Sequence, residues 1–410
     1  MKKFILVLII FFAACGIGNE AYEERAVISL WFWEPAMEEA INRMYIMDLD
    51  VEHVLIPWED YWSTLQTALL AGNGPDVFWM NQPGAVSYMP SGLVMELTDL
   101  KDNMLGHSLT AQFEPVQFEP FTFEGRLYGL PVFFDAIALF YNKELFDEAG
   151  LPHPPNRGWT KEEMRQAAKE LTTVIRRETV QYGLGIHLST QTGTANFILQ
   201  NGGHMFTTDR RTLDLNNSGA LEALQFMRKL IFEDRVSPLP WENVYGEYFV
   251  SGMLAMEIQG MWRVPLYYEF LGDRLGIAHL PVGGREANTF HSVAYMVSAQ
   301  TANRSAVLTF LEYAVSSAHG DIIATVFLPA YRGSRQLYFD KFPGLNMRMF
   351  AEAMEFAEPL QLAAVNAGQV WDVLNREMER AFMENEAISP EILDEINYAV
   401  NSVIQRPYTE

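Results

Sequence analysis

The sequence predicts an α/β architecture large enough for two or three domains, or one large pair of lobes. Strand-like and helix-like segments alternate as β-α-β-α-β through residues 26–80, and strand and helix signals recur after residue 125. The 410 residues, 49% of them hydrophobic, are more than one core of ordinary size encloses. Such alternation favours parallel strands covered by helices on both sides.

Ala26–Trp33 (AVISLWFW) is short, apolar, β-branched and aromatic, the composition of a buried strand. Pro35 follows as though opening a helix, with Ile41, Met44 and Tyr45 at helical spacing. Val51–Ile56 is the second strand. Glu59–Ala71 is a helix with Leu65, Ala68 and Leu69 on one face, stopped by Gly72, and Asp76–Met80 is the third strand. Gly125–Phe134 and Ala136–Tyr141 read as two further strands. Beyond Pro152, Pro154 and Pro155, Thr160 and Glu163 form a capping box and Trp159 with Met164 a hydrophobic staple, opening a helix that runs through Leu171. Tyr182–His187 reads as a short strand and Ser218–Glu233 as an amphipathic helix. Gly276–Pro281 and Ser292–Ser298 are strand-like, and Arg304–Val315, Met378–Met383 and Pro390–Ile404 are helical. There is no internal repeat and no low-complexity segment.

The N-terminus reads as an address. Lys2 and Lys3 precede an apolar run from Phe4 to Ala14, a charged region and a hydrophobic region of signal-peptide length. Ala13 and Ala14 lead into Cys15, the only cysteine, so no disulfide forms within the chain. The run looks like a bacterial lipobox, which implies acylation of Cys15. Phe12 stands where Leu is usual, and cleavage at an ordinary signal-peptidase site is the alternative. Residues 15–25 are polar and non-periodic, as expected of a tether between membrane and body. No later stretch has the length and apolarity of a transmembrane helix.

With 52 acidic and 29 basic side chains the net charge is −23, a field that repels phosphate backbones and argues against nucleic-acid binding. The eight His are dispersed without metal-ligand spacing, and no cofactor or metal is expected. There is no Walker A loop, no G-x-G-x-x-G after a strand and no G-x-S-x-G elbow. A carboxylate pair suited to glycoside hydrolysis stays open among so many acids. Aromatics make up 13% of the chain, nine of them Trp, more than filler requires.

Five segments resemble the extracellular solute-binding protein family 1, which includes maltose-binding proteins. Leu70–Trp79 (LAGNGPDVFW) is similar to the family's A-x-G-x-x-P-D-V, and Gly129–Gly150 (GLPVFFDAIALFYNKELFDEAG) to its G-x-P…L-x-Y-N-K. Trp159–Leu171 (WTKEEMRQAAKEL) resembles the helix after its P-x-T-W turn. Phe249–Trp262 (FVSGMLAMEIQGMW) resembles its F-x-x-G-x-x-A-M…G-x-W run, and Ile277–Gly284 (IAHLPVGG) its strand ending in L-P. The resemblance implies a type II periplasmic-binding-protein fold, two hinge-linked lobes each with a mostly parallel sheet flanked by helices. It implies lobes at 26–134 plus 280–328 and at 138–276 plus 332–410, with crossings near 135–137, 277–279 and 329–331. It also implies a non-enzymatic, monomeric receptor that closes on a sugar or oligosaccharide and hands it to ABC permease subunits. Open alternatives are a non-sugar polar metabolite such as glycerol phosphate, and a surface carbohydrate-active enzyme.

Ligands of open α/β sheets lie beyond the carboxyl ends of the strands. Sugars need flat aromatic faces and groups that hydrogen-bond hydroxyls. Together these point to Trp33 and Glu34, Trp79 and Asn81, Phe134 and Asp135, Trp262 and Arg263, with Arg332 near the last crossing. The resemblance puts the turn after Gly260 at the cleft, which makes Trp262 the expected stacking ring. Asn201-Gly202-Gly203 is similar to the family's N-G-G, but His204 and Met205 follow where an aromatic often stands.

Overall fold

A computed structural model describes residues 25–100, 111–242, 244–360, 367–384 and 387–404. The leader, Cys15 and the tether through residue 24 lie outside the described residues. Arg25, expected as the last tether residue, is fixed to the body instead. Its guanidinium donates to the Ile46 and Leu49 carbonyls at 2.6 and 2.8 Å and pairs with Asp50 at 2.9 Å.

The first unit follows the alternation closely. Strand β1 (Ala26–Phe32), β2 (Leu49–Leu55) and β3 (Val77–Asn81) pair in parallel in the order β2-β1-β3, linked through helices α1 (Glu38–Asn42) and α2 (Trp58–Leu70). The P-D-V motif sews this unit together. Asp76 accepts from the Ser29 backbone at 2.9 Å and the Ser29 hydroxyl at 3.1 Å, and also from the Thr301 hydroxyl. A carboxylate with three donors holds the start of β3 against β1 more firmly than one ladder bond.

Two short pairs come next in chain order, β4 (Thr122–Phe123) with β5 (Arg126–Leu127) and, later, the hairpin β7 (Thr173–Ile175) with β8 (Glu178–Gln181). Between them runs β6 (Gly129–Asn142), a single strand where the sequence reading had two. Asp135 interrupts the apolar pattern without interrupting the backbone ladder. Strands β9 (Met256–Gly260) and β10 (Leu275–Ala278) pair antiparallel with the second half of β6. Strand β11 (Asn288–Val297) pairs antiparallel with β3 and with the first half of β6, and β12 (Ala357–Pro359) flanks it. The segment expected as a strand at 182–187 forms only isolated bridges beside β9, Tyr182 to Leu254 and Gly185 to Glu257.

The register locates a gap. β3 ends at Asn81, opposite Val293 of β11 and so level with Phe133 of β6. β9 ends at Gly260, opposite Ile137. The four steps from Phe133 to Ile137, at about 3.3 Å each, set the two carboxyl edges about 13 Å apart along a shared floor. Two cores flank that floor. One gathers Ile28, Phe32, Leu65 and Trp79 with Tyr295 and Phe310; the other gathers Met164, Ile198, Leu224 and Ile258 with Leu374 and Ile396. A third cluster, including Phe134, Phe290, Tyr338 and Phe350, backs the ribbon.

The ribbon is pinned at both levels. The buried Asn288 amide accepts from the Ile137 N–H at 3.0 Å and donates to the Ile137 carbonyl at 2.7 Å, completing the ladder with a side chain. Near residue 330, Arg335, 6% exposed, donates to the Pro329 and Ala330 carbonyls and grips Glu114 with two bonds of 2.6 and 2.5 Å. Burial pushes the Glu114 carboxyl up, but its bonds to Arg335 outweigh that and hold it below the ordinary range.

The Thr160–Glu163 capping box forms as expected, 2.8 Å one way and 3.2 Å the other, opening the helix Lys161–Leu171. Gly276 lies so close to the Tyr141 ring that an added Cβ would fall 2.1 Å from it, so glycine is required for that pairing.

Candidate ligand-binding cleft

The floor is the stretch of β6 and β11 between the two carboxyl edges. Asp135 and His291 are direct cross-strand partners there, so their side chains share one face of the ribbon. Both keep partial solvent contact. One Asp135 oxygen is buried without a hydrogen-bond partner among the described residues. Burial pushes the Asp135 carboxyl well above its ordinary range and lowers the His291 imidazole to about 4.

On the first edge, Trp33 follows β1 and Trp58 follows β2. Trp33 meets Trp58, Tyr61, Trp62 and Trp79 with ring centroids 5.0 to 5.4 Å apart, mostly edge to face. Trp58 is 46% exposed. Glu34 and Asn81, expected to contact ligand, are helix caps. Glu34 accepts from the Ala36 N–H at 3.1 Å, and Asn81 from the Gly84 N–H at 2.8 Å at the start of α3 (Gln82–Tyr88). Gln82, the first residue of α3, is fully buried, yet neither end of its amide has a partner among the described residues.

On the opposite edge, Trp262 follows β9 and is 39% exposed. Its indole packs against Gly260, where an added Cβ would come within 1.9 Å of the ring. Arg263 beside it has a buried Nε without a partner among the described residues. The helix Ala367–Glu384 lies against α3 of the first lobe and carries Trp371, half-buried, whose Nε1 is likewise unpartnered. Beneath this edge Glu257, fully buried on β9, accepts from the Tyr267 hydroxyl at 2.5 Å and contacts His187 Nε2 at 2.8 Å. Burial and the Glu257 charge push the Tyr267 phenol up. This network orients the last residues of β9.

Three expected site residues are placed elsewhere. Trp79 is fully buried behind Trp33, because β3 is a central strand covered on both faces and every one of its residues is buried. Phe134 is fully buried and covered by the Arg335 guanidinium, 4.8 Å from its ring centroid. Arg332 is bound to Glu114 at 3.1 Å and belongs to the Arg335–Glu114 clamp. The sequence reading missed Gln82, Trp58, Trp62, His187 and Glu257. The W-x-x-x-W spacing at the start of α2, which puts both indoles on one side of the helix, is the signal that was available.

Among the described residues no group of three or more His, Cys, Asp and Glu is placed to hold a metal ion, and no helix is long and apolar enough to cross a membrane. The cleft offers acceptors, amide groups and flat rings.

Residues 37–325 match the model of the bacterial extracellular solute-binding protein family. The chain belongs to that family. Among its relatives are the arabinooligosaccharide-binding protein of Halalkalibacterium halodurans, 26% identical over 278 residues, and the galactooligosaccharide-binding protein of Bacillus subtilis, 27% identical over 271 residues. These alignments cover 63% and 62% of this chain but only 58% and 60% of the relatives' lengths. A solved ABC substrate-binding protein of Listeria monocytogenes in complex with cycloalternan superposes with a TM-score of 0.79 at 22% identity, covering 93% of this chain and 100% of that one. The sugar-binding protein MalE of Xanthomonas citri gives 0.78 at 18% identity, covering 92% and 97%. The fold is thus the two-lobed, maltose-binding type shared by this solute-binding family.

Proposed function

We propose that this solute-binding protein is the extracytoplasmic receptor of an ABC importer, binding a sugar or oligosaccharide between its lobes and delivering it by hinge closure. The observation that carries the reading is the set of unpartnered polar groups at the two facing edges and the floor between them: Gln82, Asp135, Arg263 and the Trp371 indole. A buried polar atom without a partner costs about 1–3 kcal/mol, so a site that keeps several is completed by the hydroxyls of a ligand. Trp262, exposed beside Gly260, supplies the face for a sugar ring. The sugar-binding relatives support the same class of ligand. Among the described residues Arg332 is tied to Glu114 and so is not a free cation for a phosphorylated metabolite.

In this reading the lobes comprise 26–134 with 280–328 and 138–276 with 332–410, and lipidated Cys15 anchors a monomer to the membrane. Contacts made only in the closed form shift the open–closed population towards closure. The chain binds and releases without chemistry. Calorimetric titration with a panel of mono- and oligosaccharides tests the ligand class. Saturable heat with at least one carbohydrate is expected, and none from folded protein sinks the sugar assignment.

A further inference from the structure

At the end of the first lobe away from the cleft, one turn holds two large apolar side chains in solvent. Strands β1 and β2 run parallel from Ala26 and Leu49 towards the cleft edge. Six steps of about 3.3 Å separate Ala26 from Phe32, so the strand starts lie about 20 Å from that edge. The turn entering β2 stands at those starts. Ile46 and Leu49 bridge each other across it, and Asp48 takes a positive φ of 62°. Tyr45 and Met47, on either side of the buried Ile46, are 75% and 72% exposed. Single exposed apolar residues are ordinary on a soluble surface, but two within one short, braced turn are not filler.

The brace is Arg25, which donates to the Ile46 and Leu49 carbonyls and lies 5.7 Å from the Tyr45 ring centroid. The N-terminal segment therefore joins the body against this turn. Cys15 stands ten residues earlier, a reach of at most about 35 Å. With Cys15 held in a bilayer, Tyr45 and Met47 belong to the edge of the body tied beside the lipid. Charge does not draw that edge down. Arg25 is paired with Asp50 and Arg43 with Glu39, and the whole chain is strongly acidic. The contact this turn can make is apolar. A tyrosine ring suits the headgroup level, a methionine fills the irregular space around it, and a second contact stabilises what one lipid chain holds only reversibly.

We infer that turn 44–48 is a membrane-resting surface: Tyr45 and Met47 seat in the headgroup layer of the bilayer that holds Cys15, and the receptor rests with its cleft directed away from the lipid. This rests on the reading of Cys15 as a lipid anchor. The test couples the chain from Cys15 onward, through its single thiol, to maleimide lipid in phosphatidylcholine vesicles or to a soluble polymer. Each sample then meets chloramine-T, a charged oxidant that stays in water, and methionine sulfoxide is followed by mass spectrometry. On vesicles, Met47 is expected to oxidise about fivefold or more slowly, while exposed Met253 and Met383 of the other lobe keep their rates. On the polymer Met47 should keep its rate too. Tyr45→Ser should remove most of the protection and Tyr45→Phe retain most of it. An unchanged Met47 rate on vesicles overturns the inference, and so does equal protection on the polymer, which would mean cover by the tether or a second copy. Equal slowing of Met253 and Met383 overturns it as well. None of these touches the anchor reading, which the mass of the Cys15 peptide from cells decides separately. An unacylated Cys15 sinks that reading and this inference with it.

Discussion

Asp135→Asn is a sharp perturbation of this site. In the ligand-free protein a carboxylate sits on the floor with one oxygen buried and unpartnered, pushed well above its ordinary pKa by that burial. Such a group costs about 1–3 kcal/mol. The isosteric amide leaves a polar atom there but removes the buried charge, and should therefore raise ligand-free stability by about 1–2 kcal/mol, unusual for a change at a buried position. The same substitution should weaken ligand binding. A hydrogen bond to a charged acceptor contributes about 1.5–3 kcal/mol, which is roughly a 10- to 150-fold rise in Kd. The pH dependence has a definite sign. A carboxyl whose folded pKa is raised contributes stability that is present at low pH and lost as pH rises through the folded value. The advantage of D135N should therefore be large at neutral pH and shrink on acidification. Urea unfolding at several pH values, with and without saccharide, reads both effects. If D135N destabilises the ligand-free protein by more than about 1 kcal/mol, or leaves affinity unchanged, then Asp135 is a structural residue and the reasoning fails.

Gly260→Ala keeps a backbone that alanine tolerates (φ −82°, ψ 158°) but drives a methyl into the Trp262 indole; stability should change by about 1 kcal/mol while saccharide affinity falls about tenfold or more in the same titration. Glu114→Gln removes the charge that pairs with the buried Arg335, and chemical unfolding should show a loss of about 3 kcal/mol. His319, fully enclosed and bonded to the Tyr295 hydroxyl at 2.9 Å, has its pKa lowered to about 3 by burial. The unfolded chain therefore takes up a proton that the folded one refuses, and stability falls as pH drops below about 6.5. Wild type should lose about 2–3 kcal/mol more than His319→Gln between pH 7 and 4.5, measured by urea midpoints.

What the sequence made legible was local. The capping box at Thr160, the strands β1, β2 and β3, and the helix after β2 depend on neighbours a few residues away, and their signals match their structures closely. The site residues were legible only by position along the chain. Trp33 and Trp79 both stand near the ends of apolar strands, yet Trp79 lies in the core while Trp33 stays half-open, because Trp79 is packed against Phe133 and Phe327, which no local pattern brings to it. Arg332 looked free because Glu114 lies 218 residues away. Asp135 read as a break between two strands because a charge in an apolar run suggests a turn. Register shows instead that it faces His291 from an unbroken ladder. Glu257 passed as one polar residue in a strand, and its role emerges only when Tyr267 and His187 are brought onto it.

The ribbon that floors the cleft also ties the two halves into one folding event. β6 carries ladder bonds for both sheets, and its partner β11 is contributed by chain 151 residues further on, as the Asn288–Ile137 pairing measures. Until that segment emerges, β3 and the first half of β6 each present a bare edge, and the first half of the molecule cannot finish its sheet. A fragment ending before residue 288 should accordingly collapse and stick to its copies rather than persist as a free half, and the intact chain should melt in a single step despite its two cores.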